Sequence, residues 1–233
     1  MYLPTQFEET RSEVLHAAMA AHPLATLVTL TRQGLCANHI PMVLRSLPDG
    51  GHALVAHVAR SNPLWQDFDP KVPALAVFQG PQCYITPNWY ATKKEHGKAV
   101  PTWNYVAVHA SGPLTVHDDA KWVYEQLVEL TRTHERPRLD AWAVENAPFD
   151  FTERLVEQLV GLEIRIASLQ GKWKVSQNQS QANREGVVRG LRAEQGTWAS
   201  EMDSLVEAPF AAGRLKRLLA DRIRAASRCG APA

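Results

Sequence analysis

Apolar residues recur at strand spacing through the first half of the chain and at helical spacing after residue 116. The run 24–30 follows Pro23, and the run 35–44 follows the turn signal Arg32-Gln33-Gly34, which predicts a hairpin. Pro48-Asp49-Gly50-Gly51 is a second turn signal and leads into a strand over 52–59. Residues 73–79 and 83–86 read as a strand pair around Gly80-Pro81, and 104–116 as one long strand. The segments 25–30 and 74–78 are apolar on both alternating sets, so both faces are expected to be covered, one by a barrel interior and one by a helix or a second subunit. Asp118 is the expected N-cap of a helix in which Val123, Leu127 and Leu130 recur to about residue 134, before Arg136-Pro137 breaks it. A short helix is expected at 152–159. A strand at 161–168 sets Leu162, Ile164 and Ile166 against Glu163, Arg165 and Ala167. A polar helix is expected at 179–194, and a basic one at 214–228 with Leu215, Leu218, Leu219 and Ile223 on its apolar side. This order predicts one α+β domain over residues 1–205 with a helical C-terminal tail, 206–233.

Composition narrows the class. Hydrophobic residues make up 45% of the 233 and charged residues 21%, the balance of a folded globular chain. A formal charge of +1 gives no global field to attract nucleic acid or an anionic membrane, so any basic patch is local. No stretch reaches transmembrane length, and Met1-Tyr2-Leu3-Pro4 lacks the pattern of a signal peptide. Cys36, Cys83 and Cys229 are scattered and odd in number, which predicts no disulfide framework and, with no membrane segment, a cytoplasmic protein. There is no GxGxxG, P-loop, Gly-x-Ser-x-Gly or HExxH motif, and the nine histidines are dispersed, so no metal site is expected.

Three clusters carry candidate chemistry. In the first, His57, Val58, Ala59, Arg60, Ser61, Asn62, Pro63, Leu64 and Trp65 follow a strand without a break. Arg60 offers a fork of donors suited to a phosphate, with Ser61 and Asn62 adding neutral donors; the plainer reading is a surface turn with an exposed arginine. In the second, Trp103, Asn104 and Tyr105 could bracket a planar heterocycle, or form a buried aromatic pair in a small barrel. In the third, Lys172-Trp173-Lys174-Val175-Ser176-Gln177-Asn178 could face an anionic ligand, or start a helix with Ser176 as cap. His39 beside Pro41 reads as a core histidine, and the segment 84–90 as an aromatic loop that lids a pocket or packs.

Taken together, these segments resemble the FMN-binding negative transcriptional regulator family, the PaiB-like proteins. The matching stretches are Met1-Tyr2-Leu3-Pro4 with Phe7, His39-Ile40-Pro41, the run from His57 to Pro63, Phe78-Gln79-Gly80-Pro81, the run from Tyr84 to Tyr90, Pro101-Thr102-Trp103-Asn104-Tyr105, and the run from Lys172 to Asn178. They occur in order and reach to about residue 200. Where the family often has alanine before Asn62, this chain has Ser61.

The resemblance implies a split β-barrel, shared with pyridoxamine-phosphate oxidases and flavin reductase-like proteins, with peripheral helices and with FMN in a groove between two subunits of a homodimer. Carried over by position, Arg60 would meet the phosphate with Ser61 and Asn62 assisting, and the rest of the stretch from His57 would line the ribityl chain. His39 and Pro41 would lie near the ring, Trp103, Asn104 and Tyr105 would border the pocket, and Lys174 and Gln177 could approach from the other subunit. The family name implies a repressor sensing flavin or redox state, with DNA as a possible partner. Arg214, Lys216, Arg217, Arg222, Arg224 and Arg228, interrupted by Asp221, form the basic stretch that could touch phosphates, or a solvated helix side. The alternative is an FMN-dependent oxidoreductase or flavin reductase-like enzyme, with a haem-binding barrel behind it. No catalytic acid–base pair is visible.

Overall fold

The computed structural model describes residues 1–194 and 196–207. The basic tail helix expected at 214–228, and Cys229, lie outside the described residues. In chain order the elements are β1 (Glu8–Glu9), α1 (Ser12–Ala21), β2 (Leu24–Thr31), β3 (Gly34–Pro41), β4 (Val43–Ser46), β5 (His52–Ala59), β6 (Ala74–Ile85), α2 (Thr92–His96), β7 (Thr102–Gly112), β8 (Leu114–His117), α3 (Ala120–Glu135), α4 (Phe149–Val156), β9 (Leu159–Arg165), β10 (Ser168–Lys174), α5 (Gln181–Ala193) and α6 (Thr197–Glu207). They fall into two compact units. One gathers Met1–Ala21, Gln79–Val108 and 170–207; the other gathers His22–Phe78 and His109–Leu169.

In the second of these units the expected hairpin forms in full register, from Leu24 opposite Pro41 to Thr31 opposite Gly34, and β2 also pairs with the start of β6. A separate antiparallel sheet runs β4-β5-β9-β8. Strand β5 is buried on both faces, from Ala53 through Ala56 to Val58. Helix α3 packs on this sheet at β5 and β9, and on β9 it comes close at Gly161. A Cβ there would stand 2.2 Å from the Trp122 ring, so only glycine fits.

In the first unit the strand order is β1-β10-β7-β6. Helix α1 rests on β10, where a Cβ on Gly171 would stand 2.1 Å from Leu15. Helices α5 and α6 bury Val187, Leu191, Met202 and Val206 completely.

Four expectations are corrected. The run 35–44 is two strands, because Pro41 has no N–H to donate; Met42 turns inward and bonds to Pro23 O at 2.9 Å, and β4 joins the other sheet. The run 73–86 is one strand, because Gly80 is extended and buried against β7, where a Cβ would sit 3.0 Å from Val106 Cβ. Pro113 divides 104–116 into β7 and β8. The N-cap of α3 is Asp119, whose carboxylate accepts from Trp122 N at 2.7 Å, because Asp118 is engaged by Arg60.

Candidate functional site

Strand β5 ends at Ala59, and the chain turns at once. Asn62 N donates to Ala59 O at 2.8 Å, and Arg60 N donates to Gln158 O at 2.7 Å. Asn62 then serves two partners. Its Oδ1 accepts from Leu64 N at 2.9 Å, capping the short 3-10 turn Pro63–Trp65, while its Nδ2 donates to Asn38 Oδ1 on β3 at 3.0 Å. This link joins the turn after β5 to the middle of β3. Beside it lies a cavity of about 620 Å³ lined by Thr31, Cys36, Asn38, Ser61 and Asn62 among others. That volume falls within the range of about 300–1,000 Å³ usual for small-molecule sites.

The Arg60 guanidinium turns the other way. Its Nε donates to Glu157 O at 2.7 Å, and its Nη2 donates to Asp118 Oδ1 at 2.6 Å and to Leu159 O at 3.1 Å. The group also lies over the Trp65 ring, 5.8 Å from its centroid, and Trp65 Nε1 donates back to Arg60 O at 2.9 Å. Only Nη1 is left without a hydrogen-bond partner among the described residues. The charge-assisted bond holds the Asp118 carboxyl below its usual range and the guanidinium above its own.

The neighbouring candidates separate by face. His57 Nδ1 donates to Gln126 Oε1 at 2.7 Å beneath α3, and Val58 is buried in the core. Ala59 is exposed at the strand end. His39 and Pro41 sit on the outer face of β3, with His39 Nδ1 3.1 Å from Thr26 Oγ1.

In the other unit, Asn104 is buried, with Nδ2 donating to Ser176 Oγ at 2.9 Å. Ser176 takes a left-handed backbone at φ 62°, so it is not a helix cap; Ser180 caps α5. The turn is clamped by Gln177, whose Oε1 accepts from Val175 N at 2.8 Å and whose Nε2 donates to Trp173 O. Lys174 Nζ donates to Thr102 Oγ1. Tyr105 lies with its ring 5.3 Å from the buried Lys172 Nζ, and Trp103 is exposed. Asn104, Ser176 and Gln177 are thus committed to one another and to the backbone, whereas Trp103, Tyr105 and Lys174 face outward in part. Asn38 was not singled out from sequence, because it lies on the inward alternation of a strand marked only by its turn and its apolar residues.

The family whose description reads "Putative FMN-binding domain" matches residues 1–168. The chain belongs to this family. As an FMN-binding-domain protein it is 32% identical over 228 residues to an uncharacterized protein of Emericella nidulans, covering 82% of this chain and 90% of that one. It is 28% identical over 207 residues to "Protease synthase and sporulation protein PAI 2" of Bacillus subtilis, covering 89% of this chain and 97% of the relative, which bears out the PaiB-like resemblance. Among solved structures, the flavocytochrome Anf3 of Azotobacter vinelandii aligns at TM-score 0.54 and 14% identity, over 72% of this chain and 69% of that one. The fold is the expected α+β split barrel with peripheral helices. The cofactor is FMN.

The donor set fits that cofactor. Hydroxyls and amides of Thr31, Asn38, Ser61 and Asn62 suit a polyol chain, and the cavity they line is large enough to take one. Arg60 Nη1, on the same turn, is a charged donor of the kind a phosphate dianion requires. Among the described residues no helix is long and apolar enough to cross a membrane, and no cluster of ligating side chains could hold a metal.

Proposed function

We propose that this FMN-binding chain acts as a homodimeric regulator, linked to flavin or redox state, that reaches DNA through the basic stretch beyond residue 207. The observation that carries the cofactor part is the tip of β5. A guanidinium is fixed there by two carbonyls and a carboxylate, with Nη1 uncommitted, and Ser61 and Asn62 line an adjacent cavity. In this reading Arg60 and Ser61 hold the phosphate, and Asn62 and Asn38 hold the ribityl hydroxyls. His39 and Pro41 border the ring, and Lys174 comes from the second copy. Bound FMN supplies a redox-active ring, and the chain supplies position and polarity.

Two features support the wider reading. The outer face of β2 and β3 is apolar and open, with Leu24 at 63% and Leu35 at 80% exposure, as a self-complementary interface requires. The stretch 214–228 carries six basic residues and one acidic one, a charge pattern suited to phosphates. A second reading, an FMN-dependent oxidoreductase, is favoured by the exposed Tyr84–Trp103 ring pair, which could receive a planar co-substrate.

The test uses the flavin-stripped full-length chain. FMN added in titration should bind, with quenching of its fluorescence. A salt-dependent shift of DNA at low ionic strength, lost when the chain is cut after residue 205, supports the regulator. Bleaching of the bound flavin by a nicotinamide donor, with no DNA shift, supports the enzyme. Failure to bind FMN in excess overturns both.

A further inference from the structure

Helix α3 ends at Glu135, and the chain then returns against it through the short 3-10 turn Val144–Asn146. Glu135 holds this return. Its Oε1 pairs with Arg138 Nε at 3.2 Å, and its Oε2 accepts from Trp142 N at 3.1 Å. Asn146 Oδ1 accepts from Ala143 N at 2.8 Å, and Asn146 N donates to Ala143 O at 2.9 Å. Helix and return together enclose a cavity of about 420 Å³. Val128 and Val144 line it with apolar surface, and so does Trp142, which is 49% exposed. A large ring left half in water beside a cavity is surface that a ligand can cover.

Four charged residues line the same cavity: Arg132, Glu135, Arg136 and Glu145. Glu135 has both oxygens engaged by Arg138 and Trp142. The side chains of the other three have no hydrogen-bond or ion-pair partner among the described residues, so neither guanidinium is paired with the Glu145 carboxylate. Arginines near a helix C-terminus are ordinary, because they answer its dipole. Here they stand one turn apart, where like charges repel, and share a cavity with an unpaired anion. Opposite charges that line one cavity without meeting are complementary to a ligand that carries both.

We propose that this cavity binds a free α-amino acid with an apolar side chain. The site uses none of the residues given to the flavin and does not depend on the flavin reading. The ligand's carboxylate meets Arg132 and Arg136, whose planar forks suit it. Its ammonium meets Glu145, and its side chain covers Trp142, Val128 and Val144. A simple acid would leave Glu145 unanswered beside it, and a simple amine would leave the two guanidiniums so. An apolar partner surface would bury all three charges unpaired.

The probe is L-phenylalanine, titrated calorimetrically into the full-length chain saturated with FMN. It should bind in the micromolar to millimolar range and leave the FMN in place. Hydrocinnamate, which lacks the ammonium, and phenethylamine, which lacks the carboxylate, should each bind more weakly by about tenfold or more. Glu145→Gln should weaken L-phenylalanine by about tenfold and erase its advantage over hydrocinnamate. The double variant R132Q/R136Q should instead erase its advantage over phenethylamine. A folding defect would weaken all three ligands together, so the crossed preferences separate recognition from damage. FMN affinity, measured separately, is expected to be unchanged in both variants. Equal binding of L-phenylalanine and hydrocinnamate by the wild-type chain would overturn the proposal, because the cavity would then be a site for simple acids. Release of FMN by L-phenylalanine would overturn it as well, since the two would share one site. So would unchanged binding by Glu145→Gln, or the failure of L-phenylalanine and L-leucine alike to bind at millimolar concentration.

Discussion

Arg60 shows how one side chain can be both structural and available. Its Nε and Nη2 fasten the turn after β5 to Glu157, Leu159 and Asp118, so the group is already ordered before any ligand arrives. Replacing it with alanine should weaken FMN by about tenfold to a hundredfold, as loss of a charge-assisted hydrogen bond to a phosphate does. Arg60→Lys should recover little, because a single ammonium cannot hold two carbonyls and a carboxylate while presenting a donor to a phosphate. Asp118→Asn should tighten FMN, since it removes the anion that competes for the same guanidinium; a fluorescence titration of the three variants checks the order. Arg60 lowers the Asp118 pKa from its ordinary 3.8, so the pair's stabilisation is complete above that value and is lost as pH falls through the lowered folded value. The difference in urea midpoint between wild type and Asp118→Asn should therefore be flat at neutral pH and vanish only in strong acid. Cys83 offers a separate check. Burial, with Glu194 and Glu201 nearby, pushes its thiol up to about 11, so only about one in ten thousand is thiolate at pH 7. Its alkylation, followed by mass spectrometry, should be very slow at neutral pH and should rise with pH until it levels off above about pH 11.

Among the elements, α5 depends on two glycines. Gly186 and Gly190 admit Trp89, and a Cβ at either would come within about 2 Å of it, 1.9 Å from the Trp89 carbonyl oxygen and 2.2 Å from the ring. Alanine raises helix propensity by roughly 1 kcal/mol over glycine, but overpacking costs about 1–3 kcal/mol, so Gly190→Ala should be net destabilising. The Trp89→Ala/Gly190→Ala pair should cost less than the sum of the single changes in thermal unfolding. The same elements mark what could be read from the sequence. The hairpin β2–β3 was legible because its turn residues and its apolar periods agree. Strand β5 was legible to the residue because Gly50 and Gly51 fix where it begins. The single strand β6 was not, since Gly80-Pro81 carries the letters of a turn and only the close approach of Val106 explains why it stays extended. Strand β10 and helix α6 were missed because their apolar residues lack a clean period. The site divides likewise. The motif ending in Asn62 pointed at the turn after β5, but no pattern could show that Arg60 faces Asp118 or that Asn62 reaches Asn38, since those partners lie 58 and 24 residues away.

For the whole molecule, the open face of β2 and β3 sets the expectation. Leu24 and Leu35 stand largely in water, with Ala37 and Pro41 exposed beside them. If two copies join there, Leu35→Glu should place a charge in the joint and give a folded monomer in sedimentation, with FMN affinity falling as the second copy's ligands are lost. A wild-type chain that sediments as a monomer with FMN in excess would refute the dimer. The link between Asn62 and Asn38 has a consequence for how such a molecule ages. Asparagine loses its amide chiefly when the next residue's backbone nitrogen attacks the side-chain carbonyl and closes a cyclic imide. Residue 63 is proline, whose nitrogen carries no hydrogen, so that route is shut at Asn62. Long storage should leave the Asn62 donor intact while other asparagines in the chain slowly turn acidic.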